Sequence, residues 1–283
     1  NKRRPLPANL LIKLAQLFNV DVHSFATDED ARLVADPVFR KALANTTYFV
    51  VVAAPLSIAV SLGAALLVSS SLTRFASLFR TAFFLPVVTT LVAAAVVWRY
   101  LYHPRVGLLN RVLAFFGVAP IDWRGDPDWA MPAIILMSVW KGFGFNMVIF
   151  VAGLQSIPTR LYEAAALDGA GPIARFFHVT VPMLAPTFTF VVLMTMIGHF
   201  QLFAEPYVMT QGGPGDATLS VVLLMYREGF RWWNLGYATA TAFVLFAIIL
   251  FLTLVALAIR NRGAVATGAT LEAGGGRTVG AGA

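Results

Sequence analysis

The sequence predicts an all-α fold, a polytopic bundle of transmembrane helices, and three observations lead there. Apolar residues fill 58% of the 283 positions and charged ones only 12%, against about 25% charged in ordinary soluble domains. The mean hydropathy is +0.75. The apolar residues also gather into five runs, each near the ~20 residues a helix needs to cross a ~30 Å hydrocarbon core. A soluble core helix rarely stays apolar on every face for that long. In lipid the backbone must satisfy its own hydrogen bonds, so runs of this length are read as helices.

In chain order the first run is NTTYFVVVAAPLSIAVSLGAALLVS, 45–69, uncharged with Pro55 inside. The second, TAFFLPVVTTLVAAAVVW at 81–98, holds Pro86 and is read as one span ending at Arg99. The third, 131–154, is interrupted by Lys141 with Gly142 and Gly144. The fourth is MLAPTFTFVVLMTMIGHFQLFA, 183–204, and the fifth, 235–259, carries no charge. Prolines are tolerated in such spans where neighbouring helices take up the freed carbonyls.

Composition also excludes chemistry. There is no cysteine, so no disulfide, thiol nucleophile or cysteine metal site exists. The four histidines, His23, His103, His178 and His199, lie far apart and lack metal-ligand spacing. No cofactor is expected. The net charge of +7 would point to nucleic acid in a soluble protein. Here it is read as basic loops around a membrane, with lipid as a partner and no nucleic acid expected. Five spans, with residues 156–182 placed in the cytoplasm, leave twelve Lys and Arg outside and seven inside. That balance runs against the positive-inside rule, and one more span before residue 45 would correct it. The sequence offers none.

Between the third and fourth runs lies LQSIPTRLYEAAALDGAGPIARFFHVTVPMLAP, 154–186. LYEAAAL is a strong helix former with Pro158 at its start and Glu163 read as an early-turn acid that suits the helix dipole. Gly169, Ala170 and Gly171 end that helix, and Pro172 starts a second, PIARFFHVTV. Two short helices about a glycine corner make a compact knob suited to being held by another protein.

The fixed positions of this loop, Glu163-Ala164-Ala165, then Gly169, then Val179, Val181 and Pro182, resemble the EAA-x3-G-x9-I-x-LP signature of ABC-importer membrane subunits, with Val in place of Ile and Leu, and Tyr162 and Asp168 are taken with them as coupling-loop residues. The stretches FRTAFFLPVV, WKGFGFNMVIFVAGLQ and EPYVMTQGGPGDAT extend the likeness to the sugar-permease branch of binding-protein-dependent transporters, over about residues 36–262. The resemblance implies a type I importer core in which residues 155–182 are the coupling loop. It also implies four kinds of partner or ligand: a second permease, two ATP-binding subunits, an extracytoplasmic solute-binding protein and a sugar. The phosphate-binding pattern GxxxxGK[ST] does not occur in this chain. GGPG at 212–215 is read as an extracytoplasmic turn. The chain is thus expected to be no enzyme.

Polar side chains at membrane depth are costly, about 2.5–3.5 kcal/mol for a charge on insertion scales, and are therefore candidates for function. Lys141 and Asn146 lie in the third run. His199, Gln201 and Glu205 lie at the end of the fourth, the last two at i, i+4 spacing expected to share a face. These five are the candidate substrate-lining residues, with Phe200, Phe203 and Tyr207 as stacking surfaces. Snorkelling or ion pairing is the alternative for Lys141, and anchoring at the interface the alternative for Glu205.

Residues 1–36 read as a soluble amphipathic segment in the place where the family carries its first span. LLIKLAQLFNVDVHSF resembles part of the helix-turn-helix domains of bacterial regulators. A chimeric sequence joined near DPVFRKAL is the leading reading, a native extension the other. The permease domain is then 37–262, and 263–283 is a Gly/Ala-rich tail expected to be disordered. Two rivals remain: a membrane-tethered transcription regulator, which lacks a recognition helix here, and an ion-coupled carrier, which would need paired acids within spans.

Overall fold

In a computed structural model of the chain, residues 33, 35–70 and 75–275 are described, with side chains to Ala258 and at Arg260. The readings for residues 1–32 and for the side chains of the tail lie outside the described residues. All regular structure among those described is helical. Helix α1, Pro37–Ser69, begins where the Asp36 carboxylate accepts from the Val38 amide at 2.8 Å, with Pro37 supplying a preset φ at the first position. Helix α5, Pro127–Gln155, starts the same way: Asp126 accepts from Asp128 at 2.9 Å ahead of Pro127.

These two helices run parallel. Their N-terminal halves meet in one core cluster, with Phe39, Ala42 and Phe49 against Met131 and Ile134. Their C-terminal halves meet in another, with Ile58, Ala65 and Val68 against Met147, Phe150 and Val151. Ser61 adds a hydrogen bond to the carbonyl of Phe143 at 3.0 Å. Parallel neighbours require the chain to cross back between residues 69 and 127.

That crossing is made by two helices, not by the single second span expected over 81–98. Helix α2, Ala76–Val88, and helix α3, Leu91–Leu101, meet at a bend of 99°. Thr89 and Thr90 are both extended, and Thr90 starts α3 by accepting from the Ala93 amide. Antiparallel descent along α5 is visible residue by residue. Phe83 lies against Gly144, where an added Cβ would sit 2.2 Å from the Phe83 carbonyl oxygen. Lower down, Trp98 packs on Trp140 and the Tyr102 hydroxyl donates to Ala133 at 2.7 Å.

A hairpin containing helix α4, Leu108–Phe115, follows before α5. Beyond α5 come α6, Thr159–Leu167, α7, Pro172–Arg175, a π-helical turn Phe176–Thr180, and α8, Val181–Met183. Helix α9, Ala185–Phe200, returns along α5 and breaks at Gln201 before α10, Ala204–Met209. Helix α11, Val221–Tyr226, continues through a π-helical turn, Arg227–Arg231. The last helix, α12, is Leu235–Gly275, of which Leu235–Ala258 is the apolar crossing.

Five crossings therefore lie among the described residues, if the bent pair counts as one. The loop 156–184 hangs from one end of the bundle. The hairpin 102–126 and the segment 201–234 lie at the other, with the start of α1. The turn around Gly212–Gly215 is fastened there: Lys41 donates to the Gly215 carbonyl at 2.6 Å and Arg227 pairs with Asp216 at 3.0 Å.

Candidate functional site

The loop at the free end is built by backbone chemistry. Pro158 takes the extended N-cap position of α6, and Ile157 before it is buried, fixing the loop to the bundle. At the other end the amide of Gly169 donates to Ala166 and that of Ala170 reaches back to Ala165 at 2.9 Å. These are the paired 5→2 and 6→1 bonds of a Schellman cap. Gly169 has φ +78°, and a Cβ there would meet nothing within 4 Å. The glycine answers a backbone demand, since a side chain in this conformation costs about 1–2 kcal/mol. Pro172 then opens α7 behind Gly171.

Two clasps lock the second helix against the first. The Tyr162 and Thr180 hydroxyls share a hydrogen bond of 2.9 Å, and Arg175 Nε donates to the Ala170 carbonyl at 2.8 Å. Glu163, Ala164, Asp168 and Pro182 are exposed and Ala165 is half-buried. Glu163 is the fifth residue of α6, past the first turn, so the dipole role expected for it is not met. Its carboxylate faces solvent.

The sequence reading did not single out the apolar tip. Leu167 is 90% exposed, Ile173 76% and Phe177 60%, all on this knob. Apolar side chains beside a glycine corner in a polar loop were the available signal. All three stand exposed outside the spans.

The residues proposed to line a substrate path separate into different roles. Lys141 Nζ donates to the Val87 carbonyl at 3.1 Å, at the broken end of α2. Asn146 is buried and donates to Thr195 Oγ1 at 2.9 Å, tying α5 to α9. His199 Nδ1 donates to the Thr195 carbonyl at 2.6 Å while its ring lies 5.2 Å from that of Phe49. Gln201 and Glu205 do not share a helix face, contrary to expectation. The helix ends at Phe200, Gln201 is its exposed C-cap, and α10 restarts only after Phe203. The Glu205 carboxylate turns inward to accept from Ser138 at 3.2 Å. Ser138, Lys141 and Glu205 thus form one polar group beside the bend, with Gln201 outside it. Phe200 is buried, so only Phe203 and Tyr207, stacked at 5.3 Å, remain as ring faces.

Among the described residues no group of three or more His, Asp or Glu could hold a metal ion. What the arrangement can do is mechanical: a rigid, apolar-tipped knob on one end of a bundle whose second crossing is bent.

Comparison with known proteins agrees with that arrangement. Residues 52–263 match the family described as the binding-protein-dependent transport system inner membrane component. The probable ABC transporter permease protein YurN of Bacillus subtilis is 36% identical over 255 residues, covering 88% of this chain and 87% of its own. The lactose transport system permease protein LacF of Rhizobium radiobacter is 35% identical, covering 88% and 85%. In fold, the chain is similar to a bacterial ABC transporter for the acidic polysaccharide alginate, TM-score 0.73 at 21% identity, over 91% of this chain and 90% of that one. This multi-pass bacterial membrane protein belongs to the family of binding-protein-dependent transport system inner membrane components.

Proposed function

We propose that the chain is the permease subunit of an ATP-driven ABC importer for a sugar or related carbohydrate. Relatives named for lactose, arabinooligosaccharide and sulfoquinovosyl glycerol transport support the substrate class. The solved alginate transporter bound to its periplasmic protein supports an extracytoplasmic solute-binding partner. A second permease and two ATP-binding subunits complete the assembly. With no GxxxxGK[ST] pattern in the sequence, hydrolysis falls to the ATP-binding subunits and this chain is not an enzyme.

The observation that carries the reading is the knob of residues 159–183. It is stiffened by the Schellman cap and the Tyr162–Thr180 clasp and tipped by Leu167, Ile173 and Phe177. In this mechanism the tip seats in a cleft of the ATP-binding subunit. Closure of the ATPases moves the knob as one body, and Ile157 passes the motion to the end of α5. The sugar enters from the opposite end, and Ser138, Lys141 and Glu205 lie along its path.

The test is co-purification with candidate ATP-binding subunits, wild type against Leu167→Asp and Ile173→Asp. Both side chains are exposed, so stability should change by no more than about 0.5 kcal/mol while the complex is lost. An undiminished complex with both variants would overturn the docking role.

A further inference from the structure

We propose that the hairpin of residues 104–121 is an in-plane anchor whose aromatic tip sits in the bilayer interface, on the face opposite the coupling knob. Phe115 is 86% exposed and Phe116, its neighbour at the C-cap, 72%; on helix α4 Phe115 falls on the face of exposed Leu108 and Val112. Asn110, on the opposite face, is buried and makes four hydrogen bonds. It donates to the carbonyls of Pro104 and Ile121 and accepts from the Ile121 amide and the Trp123 indole, all at 2.8–3.2 Å. Such a clasp serves no packing need of the exposed face. It holds that face in one orientation.

The height of the hairpin identifies what covers it. Tyr102, just before it, is fully buried and bonded to Ala133, a few residues into the α5 crossing. Burial raises its hydroxyl pKa, so it remains a donor. Trp123, just after the hairpin, packs on the Tyr102 ring at 5.5 Å. Both ends of the hairpin are therefore tied at the level where the crossing begins. Val92, Val96 and Tyr100 give α3 an exposed apolar face on the approach to it. Arg105 and Arg111 are exposed beside the apolar face, as headgroup phosphates favour. The Arg124 Nε is buried without a partner among the described residues, and burial together with nearby Arg99 lowers its pKa. Apolar side chains flanked by cations, held at the level of the span ends, match a lipid surface, into which such a face sinks about 5–10 Å.

The absence of native cysteine allows single nitroxide labels to be scanned along 108–116 in the full-length chain, reconstituted in phosphatidylethanolamine–phosphatidylglycerol bilayers. Oxygen collision rates should peak at positions 108, 112, 115 and 116, several-fold above those at Ala114, and a water-soluble nickel relaxant should show the opposite phase. High nickel access at 115 and 116 would overturn the proposal in favour of an aqueous loop. Low access to both relaxants there would overturn it in favour of a protein partner. The variant Asn110→Ala should blur the periodicity while the labels at 115 and 116 still reach lipid.

Discussion

Lys141 Nζ lies 3.1 Å from the carbonyl oxygen of Val87, so the charged side chain of one crossing caps the broken end of another. Helix α2 ends at Val88, where the last carbonyls lack amide partners; the Thr89 hydroxyl donates to that of Pro86 at 2.7 Å and Lys141 to that of Val87. In lipid an unsatisfied carbonyl is expensive. The lysine thus stabilises the 99° bend that takes α3 away from α2.

Replacing Lys141 by Met should remove that cap and cost about 1–3 kcal/mol, the usual penalty for a buried acceptor left unpaired. The thermal midpoint in detergent reads this directly. Lys141→Arg should recover part of it, because a guanidinium also donates. An unchanged midpoint would show that Lys141 does not cap the helix.

At Gly169 the demand is conformational. Gly169→Ala should weaken the loop by about 1–2 kcal/mol through the left-handed backbone alone, since its methyl group meets nothing. Gly169→Asn should cost less, because Asn tolerates that region. The expected phenotype is ATPase activity that persists while uptake falls, in the order Gly, Asn, Ala. Equal uptake in all three would show that the corner does not transmit motion.

Tyr162→Phe removes one hydroxyl and leaves the ring. The loss of the bond to Thr180 should destabilise the knob by about 0.5–1.5 kcal/mol. Hydrogen exchange across 172–180 should rise, with the bundle helices unaffected. Protection unchanged in that segment would mean that the clasp adds no stiffness.

Asn146 and Thr195 form an interhelical bond inside the bundle. A double-mutant cycle with Asn146→Leu and Thr195→Val should return a coupling of about 0.6–1.7 kcal/mol, the range for such bonds in membranes. A coupling near zero would assign Asn146 to the transport path and not to helix packing.

Much of this was legible from the residues. Long apolar runs fix helices because lipid offers the backbone no other partner. The corner at Gly169 could be placed because glycine adopts that φ cheaply, whereas the helix starts at Pro37 and Pro127 precede the apolar runs read from 45 and 131. The same local rules misplaced two features. The run 81–98 is uncharged throughout, yet Thr89 and Thr90 leave the helix where the carbonyl freed at Val87 finds Lys141, 54 positions away. Gln201 and Glu205 have helical spacing, but the helix stops between them and Glu205 finds Ser138, 67 positions away.

The membrane setting, the helices and the loop that projects from them follow from local composition, because hydropathy, proline and glycine act within a turn of the chain. Which polar groups meet, where the second crossing bends, and that Leu167, Ile173, Phe115 and Phe116 stay outside the core emerge from the packed bundle. Those outcomes depend on partners far along the chain, and a hydrogen bond across a bundle leaves no period in the sequence.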